Sequence, residues 1–400
     1  MNTRILYRLQ RHLTLSLAIF FTAVLSHSPI YADGEYLIGY MGVAPSKQLA
    51  HVLGFINPDG TDEHYPDFGK PDQLSWVFGP QFADGFRIVL TSYEDDNLTK
   101  VRAGEVMTRN WTYDLSCGDL TEIAQKDRLS AQIRSQALLP GDQRIIMSAI
   151  INREERLFVM DLDGGHQEEI TEPGGGFHYA MELNADKTRF ACHVTGGKPS
   201  FYNPGPYSIN VIDLATKKRV LVAGQPNHLY FGPKWSPDNT QLVYMDCQTD
   251  IDPNHFRAAV CVGQADGSKH GLVTPPQSHW FGTPFGSNTP EWTPDGKSVT
   301  YTRLLPNSER DMSRGGSQIC TVNVATGEVT ELTTAEAGRW DYRTVYSPDG
   351  HKLLFTRVRT GGTRELWMMN PDGSDQHLLT KGYQGKSADF GKWLLAPHRE

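Results

Sequence analysis

Four hundred residues are enough for a large core, in one big domain or two ordinary ones. Against 38 basic residues stand 46 acidic ones, a formal net charge of −8, which leaves no broad basic surface for nucleic acid. The 38 Gly, 24 Pro and short aliphatic runs suit an all-β protein rich in turns rather than a helical one, and five cysteines, none in a CxxC pair, supply neither a disulfide framework nor a structural zinc site.

The N-terminus reads as an export signal. Arg4, Arg8 and Arg11 form a basic start without acids, and LTLSLAIFFTAVL (Leu13 to Leu25) is an apolar run of signal length, short for a membrane span. Ala32 is the expected cleavage point, and no Cys follows it to carry a lipid. An uncleaved anchor is the alternative. Residues 1–32 are thus expected to be removed, leaving one domain over 33–400. It is placed in the periplasm or outside the cell, with 35 basic against 46 acidic residues, or −11.

Next comes HVLGFINPDGTDEHYP, His51 to Pro66, which has a strand and a tight turn and reads as the second half of a larger unit. That unit then recurs. Its first signature is an acid in a turn before an alternating apolar run: Asp84, Asp142, Asp186, Asp238, Asp295 and Asp349, with a weak seventh at Asp389. In WSPDNTQLVYMDC, EWTPDGKSVTYTR and VYSPDGHKLLFTR, Pro presets the first corner and Asp bonds back to the backbone. Gly or Asn239 then tolerates positive φ, and a half-buried strand follows. The second signature is an apolar strand, a D-G or T-G turn and a short strand, as in INVIDLATKKRVLV, ICTVNVATGEVTELT and LWMMNPDGSDQHLLT. Two hairpins per unit, at intervals of 40 to 58 residues, predict four-stranded propeller blades. The C-terminal SADFGKWLL supplies only the first half of a unit. The expected fold is therefore all-β: a single seven-bladed β-propeller, with one blade closed by pairing Ser387–Leu395 with strands from Tyr36–Pro66. Trp235 and Trp292, in the strands, read as packing between blades. Cys247 and Cys261 end and begin successive strand-like runs and could bridge after export; two buried free thiols are the other reading.

The W/Y-S/T-P-D-G repeat resembles the WD-like propeller repeat of the TolB family, a periplasmic component of the Tol-Pal system. The resemblance covers nearly the whole mature chain and implies a fold more than a function. Family members resemble an α/β domain followed by six blades. Here strands begin directly after the signal, so a Tol-Pal role is not implied. No G-x-S-x-G occurs, which excludes a propeller peptidase.

Ligands are expected at a propeller's mouth, on the loops entering the innermost strands and on insertions within a blade. Those segments carry His178, His228 and His279, and the insertion CQTDIDPNHFRAAVC adds Asp252, His255 and Arg257. His178, His228, His255 and His279, with Asp252 or Gln277 as an oxygen donor, could hold one divalent metal: manganese, zinc or iron. The alternative is four separate rim residues. Trp280 and Trp340 could stack on a sugar face, with Asn288 and Arg339 as polar ligand-binding partners; packing between blades is the other reading of both Trp. Gly174 to Gly176 reads as a turn, since no helix follows to make a phosphate loop.

Two functions follow. One is a monomeric exported propeller that binds a glycan or protein ligand, with no nucleic-acid or membrane partner. The other rests on a second resemblance, to the seven-bladed oligogalacturonate lyases, in which a metal neutralises a uronate carboxylate and a base removes the C5 proton. That resemblance implies a metal among the four His, Arg343 clamping the carboxylate, and Tyr342 or Arg257 as acid or base.

Overall fold

In the computed structural model the described residues are 36–43, 51–66, 68, 75–93, 108–123, 133–151, 154–172, 176–195, 207–248, 257–276, 282–283, 286–287, 289–305, 308, 314–385 and 387–396. The signal segment lies outside them.

The chain begins with a hairpin, β1 (Tyr36–Val43) and β2 (His51–Ile56). Four-stranded antiparallel meanders then recur. The first is β3 (Ser75–Gln81), β4 (Arg87–Tyr93), β5 (Thr108–Asp114) and β6 (Leu120–Glu122); the second is β7 (Ile133–Leu138), β8 (Arg144–Ile151), β9 (Glu154–Asp161) and β10 (Glu168–Glu169). Next come β11 (Phe177–Leu183), β12 (Arg189–Thr195), β13 (Tyr207–Asp213) and β14 (Arg219–Ala223), then β15 (His228–Trp235), β16 (Gln241–Gln248), β17 (Arg257–Gln264) and β18 (His270–Leu272). A small pair, β19 (Gly282–Thr283) and β20 (Gly286–Ser287), precedes β21 (Glu291–Trp292), β22 (Ser298–Leu304), β23 (Ser317–Asn323) and β24 (Val329–Glu331). Last are β25 (Arg339–Tyr346), β26 (Leu353–Arg359), β27 (Arg364–Met369) and β28 (His377–Thr380), followed by β29 (Asp389–Leu395). Single parallel contacts, Tyr207 with Leu229 and Ser317 with Trp340, join neighbouring meanders. Among the described residues no helix is long and apolar enough to cross a membrane.

The turn chemistry read from the repeat is present. Asp238 Oδ1 accepts from Thr240 N at 3.0 Å and from Ser236 Oγ at 2.6 Å. Asp295 and Asp349 repeat this with Lys297 N and His351 N, at 3.1 and 2.9 Å. Asn239 has φ +61°, where Gly296 and Gly350 have +67° and +75°. Each turn saturates its own backbone and so fixes the register of the strands it joins.

The core lies between successive sheets. Val243 and Met245 of one meet Trp292, Val299 and Tyr301 of the next, and Phe82 and Val89 meet Leu138, Ile145 and Met147. Strand β16 is buried at six consecutive positions, as a strand covered on both faces must be. The first strands are also tied to one another. Trp235 Nε1 donates to Glu182 O at 2.9 Å, Trp292 Nε1 to Lys234 O at 3.1 Å and Trp393 Nε1 to Val345 O at 3.2 Å. At these three places the Trp locks its strand to the one before it.

β29 pairs antiparallel with β1, Leu395 opposite Tyr36 and Trp393 opposite Ile38. The division between the ends differs from the expected half and half. The N-terminal segment supplies β1, β2 and a bridge from Phe55 to His64, and the C-terminus supplies one strand. The strand YLIGYMGV carried no turn signature to mark it. Asp389 is likewise no turn acid: it opens β29 and is buried. Cys247 and Cys261 are free thiols. They pair with Ala258 and Tyr244, not with each other, and they belong to core clusters on opposite faces of their sheet, so no bridge can form between them.

Candidate functional site

Equivalent strand starts bring several of the singled-out residues to corresponding places. His178 is the second residue of β11, His228 opens β15, Arg339 and Trp340 open β25, and Arg257 opens β17. Registry sets His228 opposite Gln248 and Gln248 opposite Arg257, so the backbones of the three lie side by side across one sheet. His255, His279, Trp280 and Asn288 lie outside the described residues, as do Gln277 and Asp252.

His228 is the best-formed chemical group. Its Nδ1 lies 2.7 Å from Asp246 Oδ1, and its ring stacks on Tyr230 with centroids 5.4 Å apart. Strand alternation explains this: Tyr230 is the cross-strand partner of Asp246, and His228 stands two residues before it on the same face. Burial raises the Asp246 carboxyl above its ordinary value, while the bond from His228 and the nearby His270 pull it down. The carboxylate accepts, so Nδ1 carries the proton and Nε2 keeps its lone pair for a ligand, a proton or a metal. Cys261 Sγ lies 4.0 Å from Asp246 Oδ2; burial, and then that carboxylate, push its thiol pKa up, so it stays an inert thiol.

His178 is buried and lies near His193. Burial first, and then His178, push His193 down to about 3. Its ring packs 4.6 Å from Phe231 and 5.5 Å from Tyr207. The sequence reading missed His193, because it sits inside an apolar strand run without turn or motif. Among the described residues no three His, Cys, Asp or Glu converge as metal ligands. Of the histidines singled out from the sequence, they show His228 oriented on a carboxylate and His178 buried near His193.

The segment from Arg339 to Arg343, read as a loop, is strand from its first residue, paired with β26. Trp340 and Tyr342 have no exposed surface and pack with Leu304 and Val358. A ring so covered cannot stack on a sugar. Burial also pushes the Tyr342 hydroxyl pKa up, away from acid–base work at neutral pH. Arg343 occupies a β-bulge at φ +54°. Its guanidinium reaches Asp389 Oδ2 at 2.5 Å and lies 3.5 Å over the Phe390 ring. Asp389 also accepts from Thr356 Oγ1 at 2.9 Å and pairs with Arg364 at 3.3 Å. The carboxylate that Arg343 was expected to clamp is supplied by the chain itself. Arg339 is similarly engaged, with Glu336 at 2.6 Å and with Thr334 O. Asp341 is held bidentately by Arg357 at 2.6 and 2.8 Å.

No family model matches the chain. Its sequence is 28% identical over 220 residues to an uncharacterised protein of Agrobacterium fabrum, covering 48% of this chain and 69% of that one. It is 32% identical over 106 residues to the Tol-Pal system protein TolB of Francisella tularensis, covering 26% of this chain and 21% of TolB. Among solved structures, puromycin hydrolase superposes with a TM-score of 0.61 at 11% identity, over 87% of this chain and 52% of that one. Oligogalacturonate lyase of Vibrio parahaemolyticus superposes at 0.52 and 14%, over 87% and 86%. The chain thus spans about half of puromycin hydrolase and about a fifth of TolB. At these identities the likeness is one of fold, and the fold is propeller-type.

Proposed function

We propose that the chain is an exported seven-bladed β-propeller that binds a glycan at the end of the ring where β11, β15 and β25 begin. Support for the ring comes from contacts between first strands: β3 with β7, β7 with β11, β11 with β15, β15 with β21 and β25 with β29. The last also meets the first, since Gln81 exchanges two hydrogen bonds with Leu395 at 2.9 and 2.8 Å. The contacting side chains are proposed to be His228, Arg257, Trp280 and Asn288, with His255 and His279 beside them. Arg339, Trp340, Tyr342 and Arg343 form the wall behind. The observation that favours binding over catalysis is the internal use of β25: each of its expected acid, base and clamp groups is buried or ion-paired within the chain.

The second reading, a metal-dependent uronate lyase, is favoured by one observation, the bond that orients His228 on Asp246. A metal held there would polarise a uronate carboxylate, and His228 Nε2 would be one ligand, with His255 and His279 as candidates for others. The test is metal content of the mature protein, then calorimetry and ultraviolet absorbance on a panel of uronate and neutral oligosaccharides. The binding reading expects glycan binding without unsaturated product, weakened about tenfold, or ~1.4 kcal/mol, by His228→Ala. Stoichiometric metal with growing absorbance would establish the lyase instead. A panel with neither binding nor product would leave a protein ligand and overturn the glycan.

A further inference from the structure

The first strands β3, β7, β11, β15, β25 and β29 each break register against the second strand of their sheet. In β15, β25 and β29 the break holds a residue at positive φ: Gly232 at +62°, Arg343 at +54° and Phe390 at +53°. Glycine adopts that conformation freely, whereas arginine and phenylalanine adopt it only under strain. The two strained residues meet. β25 and β29 are in contact, and the Arg343 guanidinium carbon lies 3.5 Å from the centre of the Phe390 ring. That guanidinium is itself pinned by the buried Asp389, at 2.5 Å. A Cβ at Gly391 would lie 2.8 Å from Leu366 Cδ1, so the backbone carrying the ring is seated on β27. Phe390 is nevertheless 46% exposed. The other large apolar side chains exposed among the described residues, Leu221, Leu272, Val329 and Leu378, lie on the outermost strands β14, β18, β24 and β28. Phe390 lies on a first strand, which in the ring proposed above borders the channel.

We propose that Phe390 is the platform on which one sugar ring of the glycan stacks, and that this sugar is a neutral pyranose. The inference rests on the ring and the glycan reading above and names the class of sugar. A pyranose has an apolar C–H face, and an exposed aromatic ring is the surface that covers it. Arg343 covers one side of the Phe390 ring and holds it by its charge. The platform is therefore fixed before a ligand arrives, and little freedom is lost on binding. Arg343 acts as a positioning residue and touches no sugar. The charges nearby select against acidic sugars. Asp389 takes Arg343 and Arg364, Glu336 takes Arg339 and Arg359, and Asp341 takes Arg357. Each of these arginines already has a carboxylate within the chain, so a uronate would have to break an existing ion pair to be held by one. A neutral ring needs only the exposed face.

The probes are the neutral disaccharides cellobiose, maltose and galactobiose, and digalacturonate of the same linkage as the galactobiose, which differs from it in its carboxylates alone. Affinities are read by calorimetry on the mature protein. Phe390→Trp serves as a reporter, its fluorescence compared with that of the unaltered chain during the same titrations. The expected result is that a neutral disaccharide binds, shifts the emission of Phe390→Trp and binds that variant at least as tightly as the unaltered chain. Digalacturonate should bind about tenfold more weakly than the best neutral probe. Phe390→Leu, which keeps an apolar side chain but loses the flat face, should bind about tenfold more weakly with its thermal midpoint unchanged. Should Phe390→Leu melt early, the Phe390→Trp titration decides, because it leaves an aromatic ring against Arg343. Sugar binding that neither variant alters, with no emission change, rejects the platform and keeps the glycan reading. Tighter binding of digalacturonate than of every neutral probe rejects the neutral class. Binding of no probe rejects the platform and the glycan reading together.

Discussion

His193 sits in the middle of β12 with its ring against Phe231 and Tyr207, and its protonation is a stability term. In the folded chain it titrates near 3, whereas an unfolded His takes its proton near 6.5. Between those values the unfolded state binds the extra proton, so stability falls as pH drops below about 6.5. One such group contributes a slope of up to ~1.4 kcal/mol per pH unit. Urea unfolding from pH 7 to pH 4 should show this slope, and His193→Leu should flatten it; an unchanged slope in the variant would refute the assignment. Asp389 is the other residue whose role is structural. Asp389→Ala would leave Arg343 and Arg364 without their shared carboxylate. The expected cost is about 3–5 kcal/mol, seen as a lower urea midpoint. A loss of ligand binding at full stability would instead restore Arg343 to the binding surface.

At the scale of elements, the hairpins were legible because each turn states its own chemistry. Ser-Pro-Asp and Asp-Gly sequences specify the bends, and the alternating runs between them specify which face is buried. β25 was misread for a related reason. Arg339-Trp340-Asp341-Tyr342-Arg343 does alternate, but its charged residues resemble a loop until Arg357 and Asp389 are seen on neighbouring strands. The closing strand depends on a turn as well. Gly382 has φ +77°, and a Cβ there would lie 1.7 Å from Ser387 O, so only glycine lets the chain reach β29. A chain ending at Lys381 loses β29 and the burial of Trp393 and Leu394, about 2–3 kcal/mol for each side chain. Its thermal midpoint should fall sharply in a calorimetric scan. A truncated chain that melts with the intact mature chain would show that β1 and β2 need no such partner.

At the scale of the whole molecule, export and fold are separate questions. The basic start and apolar run expect the mature N-terminus near Asp33. Mass spectrometry of protein from the cell envelope should find Asp33 or a residue close to it, and an N-terminal peptide containing Arg4 would refute cleavage. By itself the sequence determined the all-β class, the recurring pair of hairpins and the turn acids Asp84, Asp186, Asp238, Asp295 and Asp349, whereas Asp142 sits at the positive-φ corner of its turn and accepts from Ala83 N instead. These are local properties, written in φ preferences and in the two-residue period of a strand. Only the tertiary structure decided the fate of the side chains. It put Cys247 and Cys261 on opposite faces, gave Arg343 to Asp389, oriented His228 on Asp246, and set the exposed Phe390 ring against Arg343. Each of those outcomes depends on a partner on another strand, and no local pattern records which distant charge will be buried beside which.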